Sequence, residues 1–99
     1  MSTIWREKFK VRTYETDFNN NIKISSLFDY MQEAAANHAE SLDYGYNFLS
    51  KNNQGWVLSR AIIELDGTAG FTDELTVETW PKSIDRLFAL RDFIIYDSS

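Results

Sequence analysis

The chain contains no cysteine, one proline, one histidine and four glycines among its 99 residues. Without cysteine, the sequence excludes disulfides, zinc–thiolate sites and cysteine nucleophiles. One histidine and scattered carboxylates do not have the spacing of a metal site. The glycines are isolated and form no phosphate-binding loop. We therefore expect neither a metal nor a cofactor.

Long apolar runs and basic clusters are also missing. No apolar run approaches the length of a membrane span, and the first ten residues lack the apolar core of a signal peptide. The net charge is −5, and the best basic run, Lys8, Lys10 and Arg12, falls on one face of a strand, where lysines protect a sheet edge. These features predict a cytoplasmic protein that binds neither nucleic acid nor a membrane.

The composition is that of a folded domain. Hydrophobic residues make up 43% of the chain and aromatic residues 15%, which predicts a defined core or a large apolar pocket. Residues 1–99 are enough for one domain. A core of this size is modest and often depends on a partner for stability.

An Asn-rich turn that leads into an amphipathic helix is the most informative segment. Asp17–Asn21 predicts a turn, because Asp and Asn tolerate left-handed geometry and bond their own backbone. Ser26 with Asp29 three residues later indicates a helix start, and Gly45 indicates its end. The residues that recur at helical spacing predict a face that packs on a sheet: Ile24, Leu27, Phe28, Met31, Ala35, His38 and Leu42.

Four segments have the alternation or composition of strands. One runs from about Glu7 to Thr13, and three follow the helix, at 56–65, 74–80 and 87–96. Sequential hairpins predict an α+β fold in which a curved antiparallel meander, in the order β-α-β-β-β, packs around one helix. Because the last strand is apolar on both faces, we expect a second chain or a continuation to cover it, and hence a homo-oligomer.

Five strings, in this order, resemble the N-terminal half of the acyl-acyl carrier protein thioesterases. They are FKVRTYE (9–15), LFDYMQEAAANH (27–38), WVLSR (56–60), LTVETWP (75–81) and RDF (91–93). The resemblance implies a hotdog fold, a helix wrapped by an antiparallel sheet, and release of free fatty acid from a fatty acyl thioester. It also implies that the chain is one incomplete hotdog that lacks its last strand.

The family's catalytic motif marks an important difference. The resemblance implies an Asp-x-Asn-x-His motif in the second hotdog, whereas the corresponding turn here has Asp17 and Asn19 but Asn21 at the histidine position. Because an amide cannot act as a general base, the resemblance implies that this half holds the acyl chain. The substrate's own pantetheine arm would be the one prosthetic group involved.

Thioester hydrolysis requires a polarised carbonyl, an attacking group and an apolar slot. The N-terminus of the helix, at residues 26–28, is a candidate for donating hydrogen bonds to the carbonyl. Asp17 or Glu33 is the candidate base or nucleophile, and Asn19 would orient water or substrate. The candidate slot comprises Phe28, Met31, Ala35, Trp56 and Leu58.

Simpler structural roles compete with these assignments. Asp17 and Asn19 are also typical turn residues, and Glu33 is also typical of a solvated helix face. His38, on the apolar face, is expected to be a core histidine bonded to a backbone carbonyl. Arg91 and Asp92 are adjacent on a strand, so their side chains should face opposite ways and need separate partners.

Three functions remain open at this point. The first is an acyl-carrier-protein thioesterase or its acyl-binding half. The second is a single-hotdog acyl-CoA thioesterase that works as a homodimer with Asp17 as its carboxylate. The third is a non-catalytic hotdog that binds an acyl chain or another protein. The expected partner is therefore an acyl carrier protein or acyl-CoA, and an acidic carrier would need a basic patch, either Lys8, Lys10 and Arg12 or Lys82 and Arg86.

Overall fold

The computed structural model describes residues 4–41, 55–65, 67–84 and 88–97. The side chains of 55–57, 83–84 and 88–89 lie outside this description. The elements follow the predicted order β-α-β-β-β, with a short 3₁₀ turn, Thr13–Glu15, after the first strand. They are β1 (Trp5–Lys10), α1 (Ile24–Ser41), β2 (Gly55–Glu64), β3 (Glu74–Ile84) and β4 (Phe88–Asp97).

The four strands form one mixed sheet in the order β1-β3-β4-β2. β3 pairs antiparallel with both β1 and β4, so the predicted β3–β4 hairpin is confirmed. The prediction of a fully antiparallel meander is wrong at β2, which pairs in parallel with β4. β2 cannot pair with β3, because β1 and β4 already occupy both edges of that strand.

The helix begins at Ile24, two residues before the predicted start. The backbone N–H groups of Ser26 and Leu27 both donate to the Lys23 carbonyl, at 3.0 and 3.2 Å. Ser26 is therefore buried inside the first turn and does not cap the helix. The predicted end at Gly45 lies outside the described residues. Within the described part of the chain, no helix is both long enough and apolar enough to cross a membrane.

The buried face of α1 differs from the predicted face on one side. Leu27, Met31, Ala35 and His38 are buried as predicted, while Leu42 lies outside the described residues. The prediction was wrong for two residues, Ile24 and Phe28, which are 70% and 50% exposed. Four residues that the predicted stripe omitted are buried: Ser26, Tyr30, Ala34 and Ala39.

The core lies between α1 and the inner face of β1, β3 and β4. Along β1, Trp5, Glu7 and Phe9 are half-buried and alternate with exposed cationic residues. This strand ends at Lys10, earlier than the predicted end at Thr13, because the 3₁₀ turn begins at Thr13. The core cluster comprises Val11, Leu27, Tyr30, Met31, Ala34, Ala35, Ala69, Leu75, Val77, Phe93 and Ile95.

Candidate functional site

The Asn-rich turn is held together by the side chain of Asp17. Its Oδ1 accepts hydrogen bonds from the backbone N–H groups of Asn19, at 2.8 Å, and Asn21, at 3.0 Å. Asn20 between them has a left-handed backbone, with φ of 61°, which Asn tolerates. The exposed Asp17 carboxylate therefore supports the turn through its own backbone, and the turn prediction is confirmed.

The same turn is attached to the segment that precedes β3. The backbone N–H of Phe71 donates to Asn20 Oδ1 at 2.9 Å, and the Thr68 hydroxyl donates to Asn21 Oδ1 at 2.7 Å. Gly70 allows the close approach, because a Cβ there would lie 2.7 Å from the Asn20 carbonyl oxygen. Asn21 thus serves as a hydrogen-bond acceptor between two loops.

Glu33, the other candidate carboxylate, lies elsewhere, on the exposed side of α1. The Asn37 amide donates to both Glu7 carboxylate oxygens, at 3.0 and 2.9 Å, and reaches Glu33 at 3.5 Å. The Trp5 indole N–H also donates to Glu7, at 2.8 Å. Asn37 therefore bridges a helix carboxylate and a strand carboxylate beside β1.

A groove of about 820 Å³ runs between β1 and the helix and includes Glu33 but neither Asp17 nor Asn19 in its lining. Its floor includes the stacked rings of Phe9 and Tyr30, whose centroids are 4.5 Å apart. Its lining also carries cations from the β1 side and carboxylates from α1. The groove therefore offers an aromatic surface with charges of both signs.

Of the predicted slot residues, Phe28, Met31, Ala35 and Leu58 do not line this groove. Met31 and Ala35 are buried in the core, whereas Phe28 and Leu58 are exposed. The side chain of Trp56 lies outside the described residues. The helix start is also occupied, because the N–H groups of Ser26 and Leu27 already donate to Lys23. Among the described residues, no group of histidine and acidic side chains could hold a metal ion.

A buried polar cluster under the helix was only partly predicted from the sequence. Arg91 donates from one guanidinium nitrogen to His38 Nδ1 at 3.1 Å and to the Thr79 hydroxyl at 3.3 Å. The ring of Trp5 stacks on His38, with centroids 5.5 Å apart. His38 is a core histidine as predicted, but the partner of its Nδ1 is Arg91 and not the backbone carbonyl that we expected. Thr79 on β3 and Arg91 on β4 each lie an even number of residues from the core residues of their strand. This separation places their side chains on the same face as the core, and it was the sequence signal for the cluster.

Arg91 and Asp92 face opposite sides of the sheet and have separate partners, as predicted. Asp92 lies 3.6 Å from the exposed guanidinium of Arg60 on β2. Its second carboxylate oxygen, Oδ1, is buried and has no hydrogen-bond partner in the part of the chain described. Arg91 thus belongs to the helix side of β4, and Asp92 to the outer side.

Protonation of His38 is disfavoured in the folded protein. Burial, and then the neighbouring Arg91 charge, lower the pKa of His38 below its usual value of 6.5. Because Nδ1 accepts from Arg91, the ring proton belongs on Nε2. The neutral His38 imidazole is therefore a buried hydrogen-bond acceptor between α1 and the sheet.

We expect the stability to fall as the pH drops below about 6.5. In that range the unfolded chain binds a proton at His38 that the folded chain does not, so protonation favours unfolding. Above it both states are neutral and the contribution is constant. The slope from this residue is at most about 1.4 kcal/mol per pH unit. Urea unfolding at pH 7.5, 6.5 and 5.5 measures it.

The matched control is His38→Asn, whose Oδ1 takes the place of Nδ1 and can still accept from Arg91. This variant should lose the pH dependence between 6.5 and 5.5. An equal slope in wild type and variant would contradict the assignment.

The comparisons with known proteins agree on the family. The family model of the acyl-ACP thioesterase N-terminal domain matches residues 2–99. The chain is 31% identical to oleoyl-acyl carrier protein thioesterase 1 of Arabidopsis thaliana, over 95% of the chain and 28% of that protein. It is 29% identical to the dodecanoyl-[acyl-carrier-protein] hydrolase of Umbellularia californica, over 95% of the chain and 26% of that protein.

Solved structures give the same result for the fold. An acyl-ACP thioesterase from Bacteroides thetaiotaomicron superposes with a TM-score of 0.78 at 29% identity, over 98% of this chain and 41% of that chain. The 12:0-ACP thioesterase of Umbellularia californica superposes with a TM-score of 0.73 at 27% identity, over 97% and 37%. The predicted α+β hotdog fold is confirmed.

The chain therefore belongs to the acyl-ACP thioesterase family and corresponds to its N-terminal domain. This confirms the family that the five sequence strings indicated. The chain spans 28% and 26% of the length of the two curated relatives named above.

Proposed function

We propose that this chain is the acyl-binding domain of a thioesterase that releases fatty acids from acyl carrier protein. The match to the N-terminal domain of that family, over residues 2–99, carries this proposal. Participation in fatty acid biosynthesis, a cytoplasmic location and assembly into a homo-oligomer belong to the same proposal.

The local chemistry supports binding over hydrolysis by this chain alone. Asn21 is an amide that accepts from Thr68, and the one histidine of the chain is buried beside a cation. Asp17 is engaged by the N–H groups of its own turn. None of these three groups is arranged to take a proton from an attacking water.

Of the two candidate carboxylates, Glu33 lies on the groove with the stacked Phe9 and Tyr30 rings and Asp17 does not, so substitution of Glu33 tests the expectation that this chain alone does not hydrolyse thioesters. Asp17 and Asn19 retain a proposed supporting role, in which they fix the turn that precedes α1. The predicted acyl slot around Met31 and Ala35 requires side chains to move, because both residues are fully packed in the core.

Docking of a carrier protein remains a proposal as well. Two members of the predicted patch already face carboxylates, since Lys8 lies 3.9 Å from Glu74 and Arg12 lies 3.5 Å from Glu15. Lys82 of the alternative patch is exposed, and Arg86 lies outside the described residues. We therefore expect a carrier protein to dock on the side of the sheet that carries Lys82.

Thiol release from a panel of acyl carrier proteins and acyl-CoA esters tests the function. We expect this chain to bind acyl carrier protein substrates and to hydrolyse none of them above background. Glu33→Gln and Asp17→Asn serve as matched variants. Turnover that falls at least about 100-fold in either variant would place a working site in this chain. Turnover on acyl-CoA that depends on Asp17 would instead support the single-hotdog thioesterase. Absence of binding would leave a non-catalytic module.

A further inference from the structure

Strand β1 forms one edge of the sheet, and the groove described above follows its free side. β1 is the first strand in the sheet order and pairs with β3 alone among the described strands. The groove is lined by Phe9 from the inner face of β1 and by Lys8 and Lys10 from the outer face. Because it reaches both faces of one strand, the groove lies along the edge of that strand, where backbone groups point outward.

The backbone of β1 alternates between its neighbour β3 and this groove. The Val11 N–H donates to the Asp73 carbonyl at 2.8 Å, whereas the next N–H, of Arg12, donates to the Glu15 carboxylate at 2.8 Å. In an antiparallel ladder, residues at every second position direct both N–H and C=O to the same side. The residues in step with Val11 therefore bond to β3. The others direct their backbone groups to the free edge, and they are Arg6, Lys8 and Lys10.

The two sides of the groove carry opposite charge. On the outer side, Lys8 is 65% exposed and lies 3.9 Å from Glu74, which is 49% exposed, so solvent screens this pair. Lys10 forms no ion pair with any residue in the described part of the chain. On the helix side, Asp29 and Glu33 line the groove. An extended segment on this edge would therefore meet cations with every second side chain and carboxylates near the others.

The groove also offers aromatic surface. The stacked rings of Phe9 and Tyr30 form part of its floor. Tyr14 and Phe71 line it as well, and they are 68% and 49% exposed. Apolar side chains can bury this surface, whereas the carboxylates of α1 repel acidic ones. The side chains that a bound segment directs to the helix should therefore be apolar.

We propose that an extended acidic segment of another protein binds in this groove as a fifth strand, antiparallel to β1, beside the four of the sheet. Its acidic side chains lie opposite Lys8 and Lys10, and an apolar side chain lies opposite Phe9. Main-chain hydrogen bonds to the edge provide affinity, and the alternating side chains provide specificity. A second copy of β1 does not fit, because cations would lie opposite cations. The proposal rests on β1 and does not depend on hydrolysis.

A synthetic peptide, acetyl-GEFEVEG-amide, tests the proposal on the intact chain. In the proposed register its three glutamates lie opposite Lys10, Lys8 and Arg6, and its phenylalanine lies opposite Phe9. Amide hydrogen exchange followed by NMR should be fast at Lys8 and Lys10 in the free chain and slow at Glu7 and Phe9, which bond to β3. At saturation the peptide should slow exchange at Lys8 and Lys10 by at least about tenfold. Unchanged exchange at about 1 mM peptide would overturn the proposal.

Methylated peptides test whether the peptide pairs as a strand. In the proposed register the glutamates exchange main-chain hydrogen bonds with β1, whereas phenylalanine and valine direct theirs to solvent. Methylation of the central glutamate N–H should therefore weaken binding at least about tenfold, while methylation of the valine N–H should change it by about twofold or less. Calorimetric titration measures both affinities. Equal effects of the two methyl groups would overturn strand pairing.

A charge exchange tests the register. Lys10→Glu should weaken binding of the peptide at least about fivefold, and the peptide acetyl-GKFEVEG-amide should restore it. Lys23→Glu makes the same change of charge at an exposed residue that does not line the groove, and its affinity should stay within about twofold of the wild type. Circular dichroism verifies that both variants are folded. An equal loss in both variants, or no rescue by the second peptide, would overturn the proposed register.

Discussion

Replacing Ala35 by phenylalanine is expected to lower the free energy of unfolding by about 3 kcal/mol or more. Ala35 has no exposed surface and belongs to the core cluster with Met31, Leu75 and Val77. A phenyl ring there must displace the helix from the sheet or force its neighbours out of their preferred rotamers. For a chain of this size the melting temperature should fall by at least about 12 °C. Thermal unfolding followed by circular dichroism measures this.

The neighbouring residue provides a matched control. Ala36 is exposed on the other side of α1, so Ala36→Phe adds the same ring without filling the core. Its effect on stability should stay within about 0.5 kcal/mol. If both variants unfold at the temperature of the wild type, the orientation of the helix on the sheet is wrong. If Ala35→Phe remains folded but loses acyl binding, the residue lines the proposed slot.

Glu15→Ala is the second substitution with a large expected effect, about 3 kcal/mol in the free energy of unfolding. Glu15 is buried, accepts the Tyr30 hydroxyl at 2.6 Å and the Arg12 backbone N–H at 2.8 Å, and so connects the 3₁₀ turn to the helix. Burial, and then the bond to Glu15, raise the pKa of Tyr30 well above its usual range, so the phenol remains a donor. Removing the carboxylate leaves both donors without their acceptor. Urea denaturation measures the loss.

Two further variants separate this bond from a general effect of losing a carboxylate. Glu40 is exposed on α1, and Glu40→Ala should change stability by less than about 0.5 kcal/mol. Tyr30→Phe removes the donor alone and should cost about 1–2 kcal/mol. The double variant Glu15→Ala with Tyr30→Phe should cost less than the sum, because the two changes remove one shared bond. Strict additivity would show that the bond does not contribute to stability.

Local patterns were sufficient to predict the elements and their order. The alternation around Phe9, the helical spacing of Leu27, Met31 and Ala35, and the turn at Asp17 each depend on neighbours within a few residues. These parts of the prediction agree with the structure. The family, too, followed from short strings in order, because such strings retain the local spacing of the fold.

Contacts between distant residues decided what the sequence could not. The pairing of β2 with β4 depends on which strand edges remain free after β1 has paired with β3, and no local pattern records that. Tyr30 lies on the buried face because Glu15 and Phe9 meet it from other elements. For the same reason, the predicted residues of the candidate site lie apart in the structure. Glu33 lines the groove beside β1, and Asp17 lies in a loop attached to residues 67–73.

The sequence by itself determined the helix, the strands, the Asn-rich turn and the family, because each depends on short-range geometry and side-chain chemistry. The tertiary structure alone decided the parallel placement of β2, the pairing of His38 with Arg91, and the position of Asn21 as an acceptor for Thr68. The two side-chain pairs join residues that lie 47 and 53 positions apart in the chain. At such separations the partner is set by which surfaces the packed elements bring together, and that is a property of the whole fold.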